Sequence, residues 1–207
     1  MSKAILFLGH EASRTGAPRS LLNIAMGLME SIDIQPLFLL QQGGELVAEY
    51  ETLGPVIIWK DNLADLPLFK RVWRRLLYPP SRRQRKLLNQ IARQRPAMIF
   101  NNTVLNGPIL ERLAFLGIPV VSRIPELEYV IRLFNRNGSA TKTFQRSDHL
   151  IAVSKAVKEN LILNHQIREE NISIIYGAVH ADQHVNPEEV AQVRQEWDIS
   201  REAVVVG

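Results

Sequence analysis

Seven short apolar runs, each followed by a stretch with helical spacing, constrain the fold of this 207-residue chain more than any other feature. The runs are Ala4–Gly9, Gln35–Leu40, Val56–Trp59, Ala97–Asn101, Pro119–Ile124, His149–Val153 and Ile172–Tyr176. They are apolar throughout rather than alternating, the pattern of strands covered on both faces. Helical patterns lie between most of them, at Pro18–Ser31, Glu45–Leu53, Arg82–Gln94, Val104–Leu116, Ser139–Arg146 and Ser154–Asn164. Such alternation predicts an α/β fold: a doubly wound, mainly parallel Rossmann-like sheet with helices on both faces. The tail "NPEEVAQVRQEWDIS" reads as a further helix, and "REAVVVG" as a strand with nothing after it to cover it. The expected division is therefore 1–182 as one domain and 183–207 as the linker helix and first strand of a second, truncated one.

Composition excludes several classes of chemistry. No cysteine occurs, so disulfides, zinc–cysteine sites and thiol nucleophiles are out. The five histidines, at 10, 149, 165, 180 and 184, lack the spacing of a zinc helix, and no D-x-D triplet is present. No bound metal and no cofactor are expected. The N-terminus lacks the layout of a signal peptide, and no apolar run approaches the roughly 20 residues of a membrane span. The expected location is cytoplasmic, with peripheral attachment to the inner face of the membrane as an option.

Charge is concentrated. Residues 60–95 carry eleven Lys and Arg against Asp61 and Asp65, leaving 14 basic and 19 acidic residues elsewhere, so the net +4 comes from one patch. Within it, "LPLFKRVWRRLLYPP" puts Leu68, Phe69, Val72, Trp73, Leu76 and Leu77 on one side of a helix, and Lys70, Arg71, Arg74 and Arg75 on the other. Two readings stand: a helix packed on its own sheet, or one lying on an anionic membrane through Phe69, Lys70, Arg71, Trp73, Arg74 and Arg75. Nucleic acid ranks below both, because no aromatic platform or reader motif accompanies the charge.

The loop His10–Ala17 leaves the first strand and enters a helix, where open parallel sheets collect ligands. Gly16 lets the backbone approach a ligand closely. With Pro18 at the first helical position, the N–H groups of Ala17, Arg19 and Ser20 would face the loop and favour an anion such as a phosphate. Neither G-x-G-x-x-G nor G-x-x-x-x-G-K-[ST] is present, which argues against an ordinary dinucleotide site and rules out a P-loop. A plain turn remains the alternative.

This strand–glycine loop–helix opening resembles that of the retaining GT-B glycosyltransferases of glycosyltransferase family 4. Four further stretches are similar to the same family in the same order: "RPAMIFNNTVLNG", "LGIPVVSRIPELE", "SDHLIAVSKAVKENLI" and "NISIIYGAVH". The resemblance implies two Rossmann-like domains facing across a cleft, the first receiving the acceptor and the second holding most of the nucleotide-sugar donor. It implies a sugar passed with retention to an acceptor hydroxyl, on a carbohydrate or a lipid-linked acceptor. This chain would be the first domain, inactive by itself. It also implies donor-phosphate or sugar contact at Thr15, Gly16 and Ala17, and an acceptor cleft at His10, Asn102, Thr103, Pro125 and Glu126.

Two departures bear on the chemistry. Pro125-Glu126 stands where the family has His-Glu, which removes a hydrogen-bonding group from the implied reaction centre, so His10, Arg123 and Glu126 become the catalytic candidates. Gly177-Ala178 and His180 replace the family's usual Asn-Gly and Asp. Arg123 either holds a phosphate or carboxylate or pairs with Glu126. Asn101, Asn102 and Thr103 either touch the acceptor or cap the helix that follows, and Ser154 reads as an N-cap. The competing reading is a non-catalytic carbohydrate- or membrane-binding module on a degenerate transferase fold.

Overall fold

The computed structural model describes residues 2–60, 80–177, 186–200 and 202–204. The chain divides into two compact units, Met1–Tyr176 and Gly177–Gly207.

In the first unit, seven strands form one parallel sheet: β1 Lys3–Gly9, β2 Ile34–Leu40, β3 Val56–Ile58, β4 Met98–Asn101, β5 Val120–Ile124, β6 His149–Ala152 and β7 Ile172–Ile174. Their order is β3-β2-β1-β4-β5-β6-β7, and every neighbouring pair is parallel. All seven strands expected from the sequence are present. Their uninterrupted apolar character follows from the pleat, since alternate residues enter two different cores. On β1, Leu6 and Leu8 join Leu37, Leu39, Ile57 and Ile99 on one face, while Ile5 and Phe7 join Phe38, Leu40 and Phe100 on the other.

Each face is closed by the helix expected from amphipathic spacing. On the Phe7 side, α1 (Gly16–Ser31) contributes Leu21, Leu22 and Ala25, and α2 (Val47–Leu53) contributes Tyr50. On the Leu6 side lie Ile91 of α3 (Pro80–Arg93) and Ile109, Leu110 and Leu113 of α4 (Gly107–Leu113). Each fully buried Leu, Ile or Phe contributes about 1.5–3 kcal/mol, so these two cores dominate the unit's stability. A third core joins Ile124, Leu150 and Ile172 of the sheet to Ile131, Ala140, Val157 and Leu161. Those four come from α5 (Glu128–Phe134), α6 (Ser139–Arg146) and α7 (Lys155–His165).

Three local details differ from the sequence reading. The helix expected at Val104–Leu116 is α-helical only over Gly107–Leu113, with 3₁₀ turns on either side. Helix α5 has no counterpart in the sequence reading; of its residues only Ile131 is buried, too little periodicity to announce a helix. Helix α1 begins at Gly16, not Pro18, so Pro18 is its third residue, and the Arg19 N–H already donates to the Thr15 carbonyl (3.3 Å).

In the second unit, α8 (Pro187–Glu196) fulfils the expected tail helix, with the Asn186 side chain accepting from the Glu188 N–H (3.1 Å). The strand expected at 201–207 falls largely outside the described residues, as do Phe69, Lys70, Arg71, Trp73, Arg74 and Arg75 of the proposed membrane helix and His180 and His184.

Candidate functional site

The sheet order reverses direction between β1 and β4: successive crossovers run one way from β1 through β2 to β3, then the other way from β4 onward. At such a switch point the loops leaving the two central strands splay apart and open a crevice at the sheet's C-terminal rim. The loop after β1 carries His10–Thr15, and the loop after β4 carries Asn102 and Thr103. Arg123, near the end of β5 next to β4, and the loop residues Pro125 and Glu126 that follow the strand complete the rim.

Helix α1 presents its N-terminus here without a cap. Thr15 occupies the N-cap position but makes no side-chain cap bond; its hydroxyl meets Ser13 Oγ instead (2.9 Å). No acidic residue stands in the first turn. The amides of Gly16 and Ala17 therefore have no intrahelical acceptor, and the helix dipole adds to their positive potential. A methyl group built on Gly16 meets nothing within 4 Å, so the space above it is open. With the Arg19 N–H already bonded and Pro18 having none, the free donors are Gly16 and Ala17 rather than the expected Ala17, Arg19 and Ser20.

This turn is held from below. The buried Tyr50 hydroxyl donates to the Pro18 carbonyl (2.6 Å), and Asn102 Nδ2 donates to the Ala17 carbonyl (2.8 Å). Burial pushes the Tyr50 phenol above its ordinary range, which keeps it a donor. The preceding loop is fixed by a close backbone approach: a Cβ on Gly44 would lie 2.4 Å from the Ala12 carbonyl oxygen, and the Leu46 N–H donates to that oxygen (2.8 Å).

Asn102 is the junction of the site. Its backbone N–H donates to the Leu8 carbonyl (3.1 Å), and its Oδ1 accepts from Arg123 (2.9 Å). Ala17, Asn102 and Arg123, contributed by α1, the loop after β4 and β5, thus form one hydrogen-bonded chain. Arg123 makes no direct ion pair with Glu126, so the structural pairing considered for it is absent. Burial lowers the Arg123 pKa while Glu126 opposes that shift, and the guanidinium stays charged.

Glu126 accepts from the Thr103 hydroxyl (2.5 Å), while its Oε2 is buried without a partner. Burial raises its pKa against the pull of Thr103, of nearby backbone amides and of Arg123. Thr103 also caps the 3₁₀ turn, accepting from the Leu105 N–H (3.2 Å). Of the three residues expected as caps, it alone is one. Pro125, half-buried, sits between Arg123 and Glu126 and brings no N–H to the rim.

His10 stands apart from this group. Its Nε2 lies 3.3 Å from Glu11 Oε1, and burial lowers its pKa despite that carboxylate, so the ring is neutral near pH 7. It makes no bond to Arg123 or Glu126.

A supporting layer escaped sequence reasoning. Gln41 Nε2 donates to Asn106 Oδ1 (2.8 Å), Asn106 Nδ2 to Asn101 Oδ1 (2.8 Å), and Asn101 Nδ2 to Ser122 Oγ (2.9 Å). Asn101, Asn106 and Ser122 are fully buried and satisfied, so they rigidify the rim beneath the crevice. Asn101 is therefore a strut between β4 and β5. Its only sequence signal is a polar residue ending an apolar strand. Ser154 is the expected cap of α7, accepting from the Val157 N–H (3.2 Å). Among the described residues, no group of three or more His, Cys, Asp or Glu is arranged to hold a metal, and no helix is long and apolar enough to cross a membrane.

The chain shares its fold and its family with known proteins. No curated protein matches it. Solved structures share its fold. Anabaena Alr3699/HepE in complex with UDP-glucose is 20% identical with a TM-score of 0.69, over 96% of this chain and 50% of that one. A glycosyltransferase from Rickettsia africae is 15% identical with a TM-score of 0.61, over 98% and 52%. UDP-GlcNAc 2-epimerase from Neisseria meningitidis bound to UDP-GlcNAc is 11% identical with a TM-score of 0.58, over 97% and 54%. The chain thus spans about half the length of each. Residues 14–183, most of the chain and all of the rim described above except His10 and its neighbours, match the sequence profile of Glycosyltransferase Family 4, and the chain belongs to that family as its N-terminal, Rossmann-like domain.

Proposed function

We propose that the chain, whose first domain spans 1–182, is the acceptor-side half of a retaining glycosyltransferase that uses a nucleotide-sugar donor. The observation that carries this reading is the uncapped first turn of α1, open above Gly16 and tied through Asn102 to Arg123. In the reaction, the bond between the anomeric carbon and the donor's diphosphate breaks. The acceptor oxygen bonds to that carbon on the face the phosphate leaves, and the hydroxyl proton passes to the departing phosphate. The Gly16 and Ala17 amides and the Arg123 guanidinium offset the negative charge that develops on the leaving group, in a geometry fixed before reaction.

Glu126 and Thr103 form the acceptor wall. With Pro125 in the family's histidine position, the neutral His10 ring on the β1 side takes over hydrogen bonding to a sugar hydroxyl. The acceptor is a carbohydrate or lipid-linked sugar, and the second lobe of the family fold supplies most of the donor contacts. Both lobes are needed for turnover. The support is the family match together with the UDP-sugar complexes of the fold relatives. A cytoplasmic location belongs to the same proposal.

The test is to supply the protein joined to its partner lobe with a panel of nucleotide sugars and oligosaccharide acceptors, measuring nucleoside diphosphate release and the anomeric configuration of the product by NMR. Acceptor-dependent release with a retained anomer is expected, and the isolated chain should release none. An inverted product refutes retention. Sugar binding without release for every donor would favour a carbohydrate-binding module, the reading to which the loss of the family histidine at Pro125 lends weight.

A further inference from the structure

We propose that the outer face of α3 is a docking surface for an anionic lipid bilayer. The helix divides cleanly. Leu87, Leu88 and Ile91 pack into the core beneath the sheet, so no apolar side is left for insertion. The opposite face exposes four cations, Arg82, Arg85, Lys86 and Arg93, with the amides of Asn89 and Gln90 between them and that of Gln94 just past the helix end. These seven side chains line an open groove of about 610 Å³.

Arg85 and Lys86 each lie about one turn from Arg82 and about two turns from Arg93, so the four cations form a band about 16 Å long and about 100° wide on one side of the helix. None of the four forms an ion pair among the described residues, unlike Arg14, Lys142 and Lys158 elsewhere on the surface. No acidic residue occurs between Leu66 and Leu110, so nothing nearby in sequence neutralises them. An unneutralised band of this kind attracts a surface of negative charge.

The shape of the face selects among polyanions. Its exposed residues include no aromatic side chain on which a base could stack, the feature nucleic-acid surfaces pair with charge. A flat lattice of anionic headgroups needs only a row of cations able to reach a common plane. Placement agrees. Arg83 donates to the carbonyls of Trp59 (2.8 Å) and Ile58 (2.9 Å), which pins the N-terminal end of α3 to the C-terminal rim of the sheet. A bilayer lying along α3 would therefore flank the rim at which the crevice opens.

Sedimentation with phosphatidylcholine vesicles, with and without about a third phosphatidylserine, tests this at low salt. The whole chain should bind only the anionic vesicles. Each surface cation is worth about fivefold in partitioning, so R82Q/R85Q/K86Q/R93Q should lose several hundredfold at an unchanged melting temperature. The pairs R82Q/R85Q and K86Q/R93Q should each lose roughly 25-fold, which keeps the test decisive should the quadruple variant unfold. R82K/R85K/R93K, which keeps every charge, should bind as the wild type does. Undiminished vesicle binding in the glutamine variants would overturn the proposal. So would loss of binding in the lysine variant, or tighter binding to a DNA duplex than to the vesicles.

Discussion

Asn102 links α1 to β5 by side-chain hydrogen bonds, and among the described residues no other side chain does so; a double-mutant cycle with Arg123 measures that coupling. Asn102→Ala removes the acceptor of the Arg123 guanidinium and the donor to the Ala17 carbonyl. Asn102 is 2% exposed, so the bereaved carbonyl is poorly placed to recruit water. A lost neutral hydrogen bond costs about 0.5–1.5 kcal/mol and one to a charged group about 1.5–3 kcal/mol. Arg123 is half-buried, so its bond should fall at the low end, and Asn102→Ala should cost about 2–3 kcal/mol in all. Arg123→Ala breaks the shared bond, leaving Asn102 Oδ1 unpaired, and removes the guanidinium's pull on Glu126, a loss that the single and the double variant have in common. In urea denaturation of the wild type, both single variants and the double variant, the double variant should therefore be less destabilised than the two singles combined, by about 1–2 kcal/mol. Additivity within about 0.3 kcal/mol would mean that the Arg123–Asn102 bond is energetically idle and that the chain from α1 to β5 does not operate.

Other perturbations separate the remaining parts of the corner. The folded protein holds the Glu126 proton more tightly than the unfolded chain does, so stability drains away as pH rises from the ordinary carboxyl value of 4.5 towards the raised one. Glu126→Gln cannot ionise, so its stability relative to wild type should improve across that window and then level off; a pH-independent difference in melting temperature would contradict the burial argument. Tyr50→Phe keeps the ring packing and strands the Pro18 carbonyl, for an expected loss of about 1–2 kcal/mol in chemical denaturation; a neutral result would mean that water replaces the hydroxyl. Gly44→Ala drives a methyl group into the Ala12 carbonyl and should cost about 1–3 kcal/mol by the same measurement, because backbone, not a flexible side chain, must move. An unchanged midpoint would show that the first loop is not wedged against the second.

What could be read from the sequence follows the range of the interactions involved. The strands were legible because each is a continuous apolar run, and the two cores explain why: Leu6 and Phe7 face opposite ways and are both fully buried. Ser154 was legible as a cap because its partner is three residues away. Asn101, Asn102 and Asn106 were not, because their partners lie at Ser122, Ala17 and Leu8, brought near only by the sheet order. The sequence puts the start of α1 two residues late because Pro18 is equally compatible with the third helical position, where its missing N–H is also no loss. Helix α5 stayed hidden because Leu127, Tyr129, Leu133 and Phe134 are apolar yet exposed, which blurs the spacing a buried face would show.

Donor binding at this rim requires that the first turn of α1 receive a negatively charged group. The most direct measurement follows the backbone amide resonances of the chain during titration with UDP-glucose and, separately, with inorganic pyrophosphate at millimolar concentrations. The Gly16 and Ala17 amides and the Asn102 side-chain amide should move with both ligands. Gly16→Ala, which fills the open space above the turn without cost to folding, should abolish the shifts. Resonances of Gly16, Ala17 and Asn102 that stay fixed under both titrations, or that move unchanged in Gly16→Ala, would rule out donor binding at this turn.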